Sequence, residues 1–263
     1  AETYGCFAFH SGLLAAGCPS PEDDHELHGE FACAEMESAQ LVIAEDAVTL
    51  RSHHEHVMGF GHRYRATPAV TMRAGSALFD IDLEVTNLSA HASMPLQYMC
   101  HLNYRFLEDA TMTQSLPPDA LRLRDTVPAH VTPTPHWERL NERLRSGEIS
   151  PDSLAEAQDF DPEIVHFVDE LPSGGGPLTF RMANSEAFEF LTRFDAAQFP
   201  TATRWILSNP DQQVAAFVLP GTSRPEGRLA AERRGTLLHL AAGESTRYSV
   251  TTGLVAAHEK ESQ

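Results

Sequence analysis

The chain of 263 residues carries 37 acidic against 19 basic side chains, a net charge of −18. So acidic a surface repels phosphate backbones and anionic lipid, which excludes nucleic acid and membrane surfaces as partners. No stretch approaches the roughly 18 consecutive apolar residues of a membrane-spanning helix, and the length suits one undivided domain over residues 1–263.

In chain order, the first chemically rich segment is Asp24-His25-Glu26-Leu27-His28-Gly29-Glu30. Read as extended chain, it points His28 and Glu30 to one face, because strand side chains alternate. Residues 38–50 form two strands around a turn at Glu45-Asp46, and residues 64–73 and 77–86 repeat the form around Ala74-Gly75-Ser76. Asp80, Asp82 and Glu84 alternate with Ile81, Leu83 and Val85, the pattern of one wet and one buried face in an antiparallel meander. Asn87-Leu88-Ser89 turns the chain into a strand over 94–106, on which His101, Asn103 and Arg105 share a face.

The pattern breaks over 117–162. Residues 122–127 read as a strand, but Pro128, Pro133 and Pro135 stop it, and Trp137, Leu140 and Leu144 have helical spacing across 136–144. A second short helix is expected from Pro151 to Ala157, so a helical insertion occupies about 128–160 of an otherwise all-β chain. Gly174-Gly175-Gly176 is a loop tip. Strands return at 164–168, 187–194, 203–207, 214–219 and 245–254. Cys6, Cys18, Cys33 and Cys100 have no C-x-x-C spacing and read as reduced thiols, which with no visible signal peptide points to the cytoplasm.

Five segments in fixed order carry a resemblance: Leu27-His28-Gly29-Glu30, Pro95 to Tyr104, Arg204-Trp205-Ile206, Leu219 to Gly227, and Ala242 to Tyr248. From about residue 4 to residue 255 the chain resembles the galactose mutarotase-like (aldose 1-epimerase) superfamily. The resemblance implies a β-supersandwich of two large antiparallel sheets, with a cleft on the concave side of one. It also implies a partner, a free monosaccharide or sugar acid, whose anomers are exchanged without cofactor or metal. Such proteins carry more strands before the first histidine motif, so either a segment precedes Ala1 or this chain is unusually short.

Anomer exchange needs a base at the anomeric hydroxyl and an acid at the ring oxygen, with pKa values near the working pH. The resemblance places His101 at the general acid and His28 beside the ring oxygen. It places Leu219 where a glutamate base is expected, and leucine accepts no proton. Glu226 is nearby but reads as a turn residue, so Glu30, facing the cleft beside His28, is the substitute base or the group that orients the imidazole. Asn103, Arg105, Asp161, Glu163, Arg204 and Trp205 are the candidate sugar binders. For the last two, an indole stacks on a sugar face while a guanidinium donates paired hydrogen bonds.

Two other readings stay open. Without a base, the cleft serves a carbohydrate-binding or sensing module. With His28, Glu30, His101 and Asn103, or with His53-His54-Glu55-His56, the donor types suit a metal-dependent sugar isomerase. Edge strands of such sandwiches pair between protomers, which makes a homodimer the expected assembly.

Overall fold

Ile81, Leu83 and Val85 are at most 5% exposed, while Asp80, Asp82 and Glu84 between them stay partly open to solvent, so the predicted two-faced strand forms. The computed structural model describes residues 5–256 except positions 118, 156, 173, 175 and 186. Its strands are β1 (Ala8–Leu13), β2 (Ser38–Ile43), β3 (Ala47–Val57), β4 (Arg63–Arg73), β5 (Leu78–Asn87), β6 (Met94–Leu102), β7 (Thr111–Gln114) and β8 (Arg122–Leu123). After helix α1 (Pro135–Ser146) come β9 (Ile164–Val168), β10 (Leu178–Ala183), β11 (Phe188–Phe194), β12 (Thr201–Ser208) and β13 (Gln213–Gly221). Helix α2 (Arg228–Arg234), β14 (Leu238–Leu240) and β15 (Ser245–Ala256) complete the chain order.

These strands make two antiparallel sheets. One runs β1-β6-β13-β12-β9-β8, with β14 on β6; the other runs β2-β3-β4-β5-β15-β11-β10-β7. Between them lies a core that includes Tyr64, Leu83, Cys100, Leu102, Phe180, Phe217 and Val250, all at most 1% exposed. This is the expected all-β sandwich with a helical excursion. Strand β2 ends the larger sheet and is exposed along its whole length.

The excursion is built from local signals. Thr134 caps α1 by accepting the Trp137 amide, Pro135 occupies the first turn, and Gly147 closes the helix at φ 74°. The expected second helix does not form. Residues 151–155 are irregular, and a single 3-10 turn, Ala157–Phe160, follows. Residues 122–127 shrink to the two-residue β8, because Arg124 leaves the ladder after donating its amide to Val165. In the glycine run, Gly174 and Gly176 take φ of 98° and 86°; Gly175 lies outside the described residues.

The largest correction concerns residues 24–30, which form turns and no strand. His28 and Gly29 sit in the left-handed region, with φ 62° and 77°. A Cβ at position 29 would stand 2.0 Å from the Ala15 carbonyl oxygen, so only glycine lets this turn press against β1. His28 is strained without that excuse. Its amide donates to Gly17 O, and its carbonyl accepts from Gly12 N. The alternation that would align His28 with Glu30 is thereby lost, and the two side chains part.

Candidate functional site

The floor of the site comes from side-chain alternation on one face of the β6 sheet. Met99, His101 and Asn103 of the β6 segment, Thr203, Trp205 and Leu207 of β12, and Glu163, Val165 and Phe167 around β9 all line one cavity of about 850 Å³. Registers agree: Phe9 pairs with His101, Thr203 with Phe167, and Trp205 with Val165. In β13 the parity changes. Thr203 pairs with Leu219 but Trp205 with Ala216, so one extra β13 residue bulges there. Val214 and Leu219, five apart, therefore both face the cavity.

His101 is 7% exposed and stacks on Phe9, with ring centroids 4.5 Å apart. The His28 ring meets it edge-on at 5.3 Å, and the Trp205 ring at 5.9 Å. Ser11 Oγ lies 3.2 Å from His28 Nδ1 and so holds that ring from behind. Burial pushes His101 down to about 3 and His28 down to about 4. Both imidazoles are therefore neutral at pH 7, contrary to the expectation of an acid poised near neutrality.

Glu163, the residue before β9, meets the indole at its N–H. Trp205 Nε1 donates to its Oε2 at 2.5 Å, His130 Nε2 lies 3.3 Å from Oε1, and Arg124 is 4.0 Å away. Together with Asp211 it supplies the carboxylates of the cavity lining. Leu219 lines the cavity as well: Gly221 pairs with Met99, so Leu219 comes level with His101. Asn103 lines it too, with its Nδ2 donating to Cys6 O.

Four expected site residues lie elsewhere. Glu30 does not line the cavity; its Oε1 accepts from the Leu14 amide and from the Tyr64 hydroxyl, both at 2.9 Å, because the turn at His28 and Gly29 sends it away. Arg204 follows the rule that consecutive strand residues face opposite ways. With Trp205 on the cavity floor, Arg204 is 1% exposed on the other face. There it donates to Phe217 O, Pro151 O, Asp152 Oδ1 and Gln114 Oε1. Arg105 and Asp161 are exposed outside the cavity, since β6 ends at Leu102 and Asp161 precedes β9. Arg204→Ala, which leaves Asp152 Oδ1 only the Gln114 amide and removes the buried donor from three further acceptors, is expected to cost about 3 kcal/mol of stability in urea unfolding.

The metal donors do not converge either. Among the described residues, no group of three or more His, Cys, Asp or Glu is placed to hold a metal ion. Glu30 has left the set, His53 pairs with Ser38 and Glu37, and His56 stacks on Tyr64. Sequence reasoning missed Phe9, Arg124, His130 and Trp137. No periodicity ties them to the site: Trp137 shows only as a helix residue, and each reaches the site through a long-range pairing or through the insertion.

Solved structures share this architecture at low identity. A candidate aldose 1-epimerase of Klebsiella pneumoniae superposes with a TM-score of 0.75 at 16% identity over 95% of this chain. The chain spans 63% of that protein's length. A galactose mutarotase related enzyme of Lactobacillus acidophilus gives 0.61 at 12% identity, covering 97% of this chain and 85% of that one. A galactose mutarotase-like protein of Lactobacillus casei gives 0.61 at 15%, covering 94% and 84%. The fold is thus that of the galactose mutarotase-like superfamily. No curated protein matches the sequence. The family model described as "Domain of unknown function (DUF4432)" covers residues 2–254, and the chain belongs to that family.

Proposed function

We propose that the cavity binds a free monosaccharide or sugar acid and exchanges its anomers, with His101 as acid, His28 beside the ring oxygen and Glu163 as base. The observation that carries this reading is that His28, His101, Trp205 and Glu163 line one cavity, with His28 against His101, His101 against the Trp205 ring, and the indole N–H on the Glu163 carboxylate. Glu163 takes the proton of the anomeric hydroxyl while protonated His101 gives one to the ring oxygen. The C1–O5 bond breaks, C1 rotates, and the two transfers reverse as the ring recloses.

Burial, reinforced by the neighbouring His28, keeps His101 neutral in the free protein at pH 7, so its protonated form is a minor one that a bound anion enlarges. A substrate carboxylate a few ångströms from an imidazole raises its pKa by about 1–3 units, which multiplies the protonated fraction at pH 7 without making it the major form and so favours uronic acids over neutral aldoses. The direct measurement is the rate of anomer exchange by one-dimensional proton NMR, on freshly dissolved aldoses and uronic acids. Acceleration is expected to be greatest for the uronic acids, and His101→Ala is expected to lower it by about 10²- to 10⁴-fold while sugar binding persists.

Leu219 beside His101 favours a second reading, a carbohydrate-binding module that lost its base. Sugar binding without acceleration of any anomer exchange would establish it and sink the first.

A further inference from the structure

The chain has two tryptophans, and both indole N–H groups are given to Glu163. Trp205 Nε1 donates to the carboxylate at 2.5 Å, and Trp137 Nε1 donates to the backbone carbonyl at 3.0 Å. Trp205 belongs to the sheet, whereas Trp137 belongs to the first turn of α1, inside the helical insertion. His130 and Arg124, which approach the carboxylate from its other side, come from the segment leading into that helix. Glu163 itself precedes β9, one residue beyond the register with β12, which ends at Ile164.

From this arrangement we infer that Trp137 is a positioning residue and that the insertion serves as a buttress which holds Glu163 at the cavity edge. The inference rests on Glu163 acting as the base. The Thr134 cap and Pro135 fix where the first turn starts, and hence where the Trp137 indole points. Asn141, 2% exposed, donates to the Trp137 carbonyl one turn later and ties the same residue into the packed face of α1. Without the Trp137 hydrogen bond, the backbone at 163 is free to shift, and displacements of about 1 Å at a reacting group cost up to about 10²-fold in rate.

Two readouts on Trp137→Phe, in the full chain, test this. The first is the indole region of a ¹H–¹⁵N correlation spectrum, where the wild type gives two resonances and the variant only that of Trp205. That resonance is expected to move from its wild-type position towards the one it takes in Glu163→Gln. The second is anomer exchange, where kcat is expected to fall about 10- to 100-fold with KM held within a few-fold. Benzothienylalanine at position 137, which keeps the bicyclic shape and removes only the donor, is expected to reproduce both effects and guards against a variant that merely folds poorly.

An unmoved Trp205 resonance in both variants would overturn the buttress. A moved resonance with unchanged kcat would keep the buttress and remove Glu163 from the reaction. Should the wild type accelerate no sugar, the functional reading fails, while the spectrum still decides whether Trp137 positions Glu163.

Discussion

Glu163→Gln is expected to lower the rate of anomer exchange by about 10²- to 10⁴-fold with the fold intact. The amide is nearly isosteric, and its oxygen still accepts the Trp205 indole N–H, so the packing at the cavity edge is kept. What it loses is the ability to take a proton. Sugar affinity is expected to change only a few-fold, so the loss falls on kcat. The contrast that decides the assignment is Glu30→Gln. Glu30 accepts from Leu14 N and Tyr64 OH away from the cavity, so its amide variant is expected to leave the rate unchanged. Its thermal unfolding temperature is expected to drop, because a charged acceptor of two hydrogen bonds has been replaced by a neutral one. NMR exchange rates and unfolding curves for the two variants, side by side, separate a base from a structural carboxylate. The reverse pattern would put the proton transfer at Glu30.

The protein is also expected to lose stability steeply as pH falls from 6.5 to 5, well above the usual carboxylate range. Among the described residues burial pushes five histidines down: His10 and His28 to about 4, His101 and His166 to about 3, and His56 in the same direction. In the unfolded chain each titrates near 6.5, so between that value and the folded one the unfolded state binds more protons. Stability is therefore full above about 6.5 and drains as pH drops towards the folded values. For His101 and His166, at 7% and 4% exposure, the loss is about 2 kcal/mol each at pH 5. That is a large share of the 5–15 kcal/mol typical of a domain. Asp169, held low by Arg224, stabilises the fold above its ordinary pKa of about 3.9 and loses that contribution only as pH falls below it. Unfolding temperature measured from pH 8 to 4.5 checks this; a flat curve down to pH 5 would mean that these imidazoles are solvated.

Both predictions depend on residues that differ in how far the sequence revealed them. Alternation marked the meander of β2 to β5 and put His101 and Asn103 on one face, and both line the cavity. The same rule sets Arg204 apart from Trp205, although the two were expected to bind sugar together. Consecutive residues in a strand cannot share a face, and Arg204 is indeed in the interior. Strands β1, β7, β10 and β14 went unread, as did the seven-residue α2, because short elements carry too few periods to stand out.

By itself, the sequence determined the class of fold, the order of its main strands, the place of α1 and the histidine of β6, because local period and caps act over a few residues. Only the tertiary structure decided which carboxylate lines the cavity with His28 and His101. Two left-handed residues at 28 and 29 turn Glu30 away, a bulge in β13 keeps Leu219 on the floor, and an insertion 26 residues upstream, through Trp137, reaches Glu163. Each is a backbone event or a distant pairing that exchanges one face for another, and no pattern of side chains along the chain records it.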